Sequence, residues 1–405
     1  MYSWPTLEIP PSDEDFPELK LTPTWGKEFV RKNFNIYVCG ITPYDATHLG
    51  HAATYITFDL INRYQILRKL QSNFIENITD VDDPLLERAK RDGVDWKVLA
   101  ESQTSLFIKD MTALRVLPPR TFLSVSETIN LVIEGILKLL SSDVAYEING
   151  DFYYDISNQI KNLPLALDKA LQIFGERGGD PNRAGKRHPL DPLLWRKHVG
   201  SEPGWDSPFG KGRPGWHIEC AVIAIFGAAG HYEKGEPILN LQGGGSDLIF
   251  PHHFMTKVIA EDLTDADFAA QYVHTGMLGL EGEKMSKSKG NLVFVHRLLE
   301  EGIDPMAIRI ALINGNYSDD RMWSRKLLDD ANEILNDTRN AIAKSEVAIT
   351  ETVIKEMIEA LANNLNTSKV LQVLKKWNQE TLSGASGGNA GKLSRFLDSA
   401  LGLAI

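Results

Sequence analysis

Cysteine is almost absent from this sequence: Cys39 and Cys220 are the only two in 405 residues. So low a count excludes a small disulfide-stapled fold and leaves two thiols whose value is chemical, above all as metal ligands if a histidine joins them. No run of about 18 apolar residues occurs, so no membrane span is expected. Positive charge is in deficit, with 43 Lys and Arg against 54 Asp and Glu and a net charge of −11. That speaks against a nucleic-acid partner, because neutralising a phosphate backbone takes clustered cations. Residues 320–405 hold 11 basic and 11 acidic side chains, so no basic tail offsets the deficit. There is no internal repeat and no basic-then-apolar leader; the first twenty residues carry Glu8, Asp13, Glu14 and Asp15 instead. A cytoplasmic, monomeric enzyme of two or three domains is the expectation.

What the sequence does have is Cys39-Gly-Ile-Thr-Pro-Tyr-Asp-Ala-Thr-His-Leu-Gly-His51. It reads as the end of a short apolar strand (Ile36–Cys39), a proline-bearing turn and a helix start at His48-Leu-Gly-His51. Unpaired N–H groups and the helix dipole favour anions at such a start, and two imidazoles there suit a polyphosphate. Far downstream stands Lys284-Met-Ser-Lys-Ser288, a loop whose lysines suit a departing pyrophosphate. Attack on a phosphate held there builds negative charge on phosphorus, which preorganised donors stabilise. His48, His51, Lys284 and Lys287 take the catalytic roles in this reading. Taken alone, each pair also reads blandly, as capping or core histidines and as solvated lysines.

Residues 34–80 read as strand, turn, helix, strand. Tyr55, Phe58, Leu60, Ile61, Tyr64 and Leu67 make a broad apolar helical face, and Asn73–Thr79 alternates as a strand before Asp80-Val-Asp-Asp83. This βαβ pattern predicts an α/β fold with a Rossmann-like parallel sheet and ligands at the carboxyl ends of its strands. The strand Ile238–Gln242 runs into Gly243-Gly-Gly-Ser-Asp247, whose glycines would let a ligand approach the backbone, with Asp247 on a ribose or an ammonium group; a plain glycine turn is the alternative. A helix is expected from Pro251. A catalytic domain is expected over 1–290, with an insertion at about 118–210 that contains a hairpin near Ala145–Asp155. A helical region follows over 291–405, with Ser383–Asn389 as a flexible linker.

Cys39, Cys220 and His252 each fall at the end of a strand or the start of a helix on one sheet edge. Three protein ligands leave one tetrahedral position of Zn²⁺ open, which a thiolate fills far better than a hydroxyl. Their long separations give no spacing signal, and composition alone favours two buried structural cysteines. His253 reads equally as a helix cap or a ligand, and Trp216 as a pocket wall or as core. Asp80, Asp82 and Asp83 suit a solvated loop better than a magnesium site.

Residues 36–54, 76–83, 213–220, 241–253 and 274–292 together resemble cysteinyl-tRNA synthetase, and the two phosphate motifs resemble the ATP signatures of class I aminoacyl-tRNA synthetases. Pro43–Thr54, Glu176-Arg-Gly-Gly-Asp-Pro181 and Gly243–His253 are closer to the actinobacterial mycothiol-pathway cysteine ligases, which join L-cysteine to the amine of glucosaminyl-inositol (GlcN-Ins). The synthetase has another turn before its histidine motif, an asparagine where His51 stands, and a further zinc-ligand glutamate after its paired histidines. The resemblance implies the class I synthetase fold, Zn²⁺ on Cys39, Cys220 and His252, and ATP with Mg²⁺ as substrate. It places cysteinyl-adenylate against Cys39, Gly40, Ile41, Thr42, Thr54, Asn77, Ile78, Thr79, Trp216, Gly245, Ser246, Asp247 and Leu278. The products it implies are Cys-GlcN-Ins, AMP and pyrophosphate. Phe254 stands where the ligases usually carry glutamate. Loop 176–188, with Arg177, Arg183 and Arg187, is expected to meet the acceptor. Cysteinyl-tRNA synthetase is the competing expectation, set back by the acidity; a non-catalytic nucleotide-binding regulator is set back by the intact ATP motifs.

Overall fold

The computed structural model describes residues 4–29, 31–280, 282–285 and 290–405, with Lys284 described by its backbone alone. Its central sheet is built from β1 (Trp25–Gly26), β2 (Asn33–Val38), β3 (Gln71–Ile78), β4 (Thr121–Ser124), and, beyond the strands described next, β9 (Leu239–Gly245) and β10 (Ala269–Thr275). A separate antiparallel sheet, β5 (Ala145–Ile148), β6 (Asp151–Tyr154), β7 (Leu193–Lys197) and β8 (Gly212–Pro214), lies between β4 and β9 in the chain. The strands of the central sheet run in the order β1-β10-β9-β2-β3-β4, all parallel except β1. From β2 the chain steps outward through β3 to β4, and β9 then returns to the other side of β2. The order therefore reverses between β2 and β9, and their carboxyl ends form the crevice where open α/β sheets bind ligands.

Helix α1 (Leu49–Leu67) connects β2 to β3; α2 (Asp83–Asp92) and α3 (Trp96–Ala113) lead to β4, and α4 (Ile129–Ser141) to the small sheet, which contains α5 (Leu167–Glu176). Helix α6 (Trp216–Ala228) and α7 (Phe254–Thr264) flank β9. β4 pairs with β3, so the stretch that follows residue 118 opens with a strand of the central sheet, and the antiparallel sheet starts at Ala145. Pro251 does not open a helix: α7 begins at Phe254, after a wide turn over Ile249–His253.

The remaining elements are β11 (Leu278–Leu280), β12 (Glu283–Lys284), α8 (Val295–Glu300), α9 (Pro305–Ile313), β13 (Arg321–Trp323), α10 (Arg325–Ile342), α11 (Glu351–Ala362), α12 (Thr367–Leu382) and α13 (Ala390–Leu401). β13 pairs in parallel with β11 in a separate three-stranded sheet, β12-β11-β13, which joins the helical region to the segment that follows β10. Ser383–Asn389 is not a flexible linker. Gly388 N donates to Val347 O at 2.9 Å, Asn389 N to Thr350 Oγ1 at 3.1 Å, and the Asn389 side chain caps α13. A Cβ on Gly388 would lie 1.9 Å from Ala348 O, so the glycine is there for the close approach.

One face of the sheet shares a continuous core with α1 and helices α8–α13; the other packs on α4, α6, α7 and the antiparallel sheet. The joint of the first core is ionic. Asp59 of α1, fully buried, binds Arg63 at 2.8 Å and Arg309 of α9 more closely, and accepts from Leu117 N. The guanidiniums also reach main-chain carbonyls: Arg63 to Asp398, Ser399 and Arg115, Arg309 to Leu401 and Leu114. Two buried cations thus cap the carboxyl ends of α13 and α3, where the helix dipole favours them.

Candidate active site

The turn after β2 is held by the end of β3. Asn77 Oδ1 accepts from Gly40 N and from the Tyr37 hydroxyl, both at 2.9 Å, and Asn77 Nδ2 donates to Thr79 Oγ1 at 3.1 Å. Thr79 N then donates to Ile41 O at 3.0 Å. A Cβ on Gly40 would sit 1.5 Å from Asn77 O, so only glycine lets the two strands' ends come this close. Cys39, Gly40, Ile41 and Asn77–Thr79, drawn from distant parts of the sequence, are thereby brought to one edge, with Thr42 next in the turn.

His48 is the N-cap of α1: its Nδ1 accepts from Gly50 N at 3.1 Å and His51 N at 3.4 Å. That bond fixes the neutral tautomer, with the ring proton on Nε2. The His51 ring stacks on it with centroids 3.8 Å apart. The capping and the phosphate readings of these histidines are therefore compatible. On the same helix Thr54 Oγ1 lies 2.8 Å from Thr275 Oγ1, at the end of β10.

The glycine run of β9 is shaped largely by packing. A Cβ on Gly243 would strike the Phe58 ring at 2.2 Å, and one on Gly244 the His253 ring at 2.8 Å. Gly245 leads into the turn of Ser246 and Asp247, and Asp247 sits 3.9 Å from Arg177. Leu278 is buried in β11. Lys284 lies in β12, while Ser286, Lys287 and Ser288 fall outside the described residues.

Cys39, Cys220 and His252 converge. One ligand atom from each lies within 4.8 Å of the others, and all three residues are buried. The set passes a test of fit for a soft divalent cation. His252 Nε2 is buried with no hydrogen-bond partner, while its Nδ1 is 2.9 Å from His217 Nδ1. Trp216, the first residue of α6, stacks on the His252 ring at 4.0 Å. Burial, and then the neighbouring His217, push His252 well below the ordinary histidine range, so its ring is neutral and able to ligate. Burial pushes the Cys220 thiol up, with Cys39 adding to it; a bound cation is what would drive the proton off.

Sequence reasoning missed the histidines behind the cluster. His253 Nε2 is 3.2 Å from Cys39 Sγ, its Nδ1 is 2.7 Å from His274 Nε2, and His274 Nδ1 is 2.7 Å from Thr24 Oγ1. His253 thus stands at the N-cap position of α7 without a side-chain capping bond, and it lies outside the cluster of Cys39, Cys220 and His252. Isolated histidines carry no spacing signal; only the pairing of strands β9 and β10 brings these together. Replacing His217 by phenylalanine should weaken metal binding by roughly 10–100-fold, the usual cost of freeing a ligand histidine from its partner, as read by competition with a chelator.

Residues 26–333 match the family described as the tRNA synthetases class I (C) catalytic domain. Over its whole length the chain is 46% identical to the L-cysteine:1D-myo-inositol 2-amino-2-deoxy-alpha-D-glucopyranoside ligase 2 of Corynebacterium jeikeium, and 45% identical to the corresponding ligases of Rhodococcus erythropolis and Streptomyces coelicolor, in each case covering all of both chains. The chain belongs to this family of ligases, on the class I synthetase catalytic domain. Among solved structures, Mycobacterium tuberculosis methionyl-tRNA synthetase with methionyl-adenylate aligns over 92% of this chain and 89% of its own, with TM-score 0.63 and 16% identity. A leucyl-tRNA synthetase ternary complex from Agrobacterium radiobacter aligns over 95% and 85%, with TM-score 0.62 and 10% identity. Both share the fold.

Phe254 is a packing residue: the side chain is buried and contacts Phe250, ring centroids 6.0 Å apart. The arginines of loop 176–188 are mostly occupied. Arg183 pairs with Asp151 at 2.6 Å and lies over Tyr153; Arg187 pairs with Asp155 at 3.1 Å and lies over Tyr146. These contacts fold the small sheet, and of the three only Arg177, through Asp247, touches the crevice. The three aspartates after β3 are not one solvated loop. Asp80 is buried and accepts from Ser126 N and Oγ, Asp82 caps α2, and Asp83 pairs with Arg196 and Arg213. No helix of the described residues is long and apolar enough to cross a membrane.

Proposed function

We propose that this chain is an ATP-dependent ligase that adenylates L-cysteine and transfers it to the amine of GlcN-Ins, releasing AMP and pyrophosphate. The observation that carries the reading is the convergence of Cys39, Cys220 and His252 beside the β2/β9 crevice, because that is where cysteine must be told from serine. We infer one Zn²⁺ per chain there; when bound, it would hold the substrate's thiolate in preference to a hydroxyl. The chain's own residues do the rest. Asn77 and Thr79 hold the Gly40–Ile41 backbone against the amino acid, Trp216 walls the pocket, and Asp247 meets the ammonium group or the ribose. The stacked His48 and His51 rings donate to the phosphates as charge builds on phosphorus, at the positive end of the α1 dipole. Lys284 and Lys287, with Mg²⁺, neutralise the leaving pyrophosphate. The mixed anhydride is already activated, so no covalent enzyme intermediate is needed.

Loss of one preorganised donor costs about 10²–10³ in rate. His48→Ala should therefore slow cysteine-dependent ATP–pyrophosphate exchange by about that factor, with little change in KM for cysteine. We place the protein in the cytoplasm, as a monomer, acting on small molecules. The functional test compares AMP release from cysteine and ATP with GlcN-Ins or with tRNA as acceptor; turnover on tRNA alone would make it a cysteinyl-tRNA synthetase.

A further inference from the structure

Of the arginines in loop 176–188, Arg183 and Arg187 are turned into the small sheet, so the loop offers the acceptor little. A cleft of about 480 Å³ opens elsewhere, walled chiefly by Tyr44, Asp45, Glu87, Arg88, Arg91 and Phe294. Its volume lies within the range of small-molecule sites.

Each wall continues a segment that builds the nucleotide site. Tyr44 and Asp45 follow Thr42 in the turn after β2, where Tyr44 N donates to Thr42 O at 2.8 Å. Phe294 pairs with His48 in an antiparallel bridge, flanked by Leu49 N donating to Val293 O at 2.9 Å and Val295 N to Thr47 O at 3.1 Å. The third wall is α2, which follows the Asn77–Thr79 end of β3. Pro84, Glu87, Arg88 and Arg91 stand at i, i+3, i+4 and i+7, one face of that helix. Its other face buries Leu85 and Ala89 with Leu99 and Ala100 of α3, and Tyr44 packs on the same cluster. Arg88 donates to Tyr44 O at 3.1 Å and pairs with Asp45 at 3.5 Å, which fastens helix to turn. The cleft is preformed, and one β-bridge separates it from His48.

The wall chemistry selects a class of ligand. Asp45 and Glu87 balance Arg88 and Arg91, and both arginines also donate to Asp92, Arg91 at 2.9 Å. A departing pyrophosphate would find no surplus of cations there. A polyol is better matched: carboxylates accept from hydroxyls, a guanidinium carries five N–H donors, and Tyr44 and Phe294 supply aromatic surface. Burial, then the carboxylates of Asp45, Asp82 and Asp247, raise the Tyr44 phenol above its ordinary value, so it stays a hydroxyl at neutral pH.

We propose that this cleft binds the hydroxyl-bearing body of the acceptor, a polyhydroxylated primary amine, and that Glu87 and Arg91 are the residues that hold it. The proposal rests on the ligase reading above and adds where the second substrate sits.

Glu87 and Arg91 are exposed on α2, where alanine is the best helix former, so Glu87→Ala and Arg91→Ala should fold. Two activities are measured: cysteine-dependent ATP–pyrophosphate exchange, and complete ligation as GlcN-Ins is varied. Each variant should raise KM for GlcN-Ins about 10- to 100-fold, the worth of a hydrogen bond to a charged group. The rate at saturating GlcN-Ins and the exchange rate should stay within about twofold of wild type, as expected for lost ground-state binding. Pro84→Trp, which fills the cleft from the same helix face, should block ligation and spare exchange. Unchanged KM for GlcN-Ins in both alanine variants, or wild-type ligation by Pro84→Trp, would overturn the assignment. So would equal losses in exchange and ligation, which would give the cleft to the first half-reaction. Wild-type enzyme that exchanges pyrophosphate but ligates nothing to GlcN-Ins would instead sink the ligase reading, and this proposal with it.

Discussion

Cys220→Ser should empty the metal site and lower kcat/KM for cysteine by more than about a thousandfold, given that merely freeing a ligand histidine from its partner costs roughly 10–100-fold. The substitution is close to isosteric in a site where Cys220 is buried on α6, so the fold should survive it. What changes is ligand chemistry. A hydroxyl keeps its proton where a thiol can yield it to a soft cation, and Cys39 with His252 alone make an incomplete set. The loss should appear in the exchange half-reaction, because the cation holds the amino acid before adenylation. Metal content by elemental analysis, exchange rate and a thermal melt together check it. A variant that retained one equivalent of metal and wild-type exchange would show that the cysteines are only structural.

Asp59→Ala should be the most destabilising single substitution near α1, by about 3–5 kcal/mol, measured from the midpoint and slope of urea unfolding. The cost comes from what is left behind. Arg63 and Arg309 are fully buried, and without Asp59 their two charges have only main-chain carbonyls to answer them. Burial works against ionisation of Asp59, but Arg63 and then Arg309 overcome it and hold the carboxyl below its ordinary value. A depressed folded-state value means the stabilisation is fully present above the unfolded carboxylate range, near pH 4, and fades as pH falls through the lower folded value. The wild type should therefore lose stability in acid along a steeper course than the variant. Parallel pH courses would show that Asp59 is not the group responsible.

The nucleotide half of the crevice was the more legible part of the sequence. A strand, a turn and a helix start are local patterns, so β2, the His48–His51 motif and the broad apolar face of α1 declare themselves over thirty residues. The sulfur half was not legible from spacing: Cys39, Cys220 and His252 meet only because β9 returns to lie beside β2, a non-local event that the sequence marks nowhere. The same is true of His217 and His274, and of Asp59 with Arg309, 250 residues apart and made partners only by packing. One reading was corrected because composition misleads, and a second gained a rival. Ser383–Asn389 has the residues of a flexible linker, yet its backbone bonds to Val347 and Thr350, and glycine there serves a close approach. The glycines at 243 and 244 suggested room for a ligand, and a packing demand stands beside that reading, since a Cβ there would meet Phe58 and His253.

The grip of Arg63 on the carbonyls of Asp398 and Ser399 has a consequence for biosynthesis. Asp59 answers the charge of Arg63 within the helix that opens the nucleotide crevice, but the carbonyls that take the guanidinium's further donors leave the ribosome some 330 positions later. Until then a nascent chain holds a guanidinium whose remaining donors are shaped for an interior that does not yet exist. Competence should arrive late in elongation and in one step, leaving the growing polypeptide dependent on holding factors for most of its synthesis.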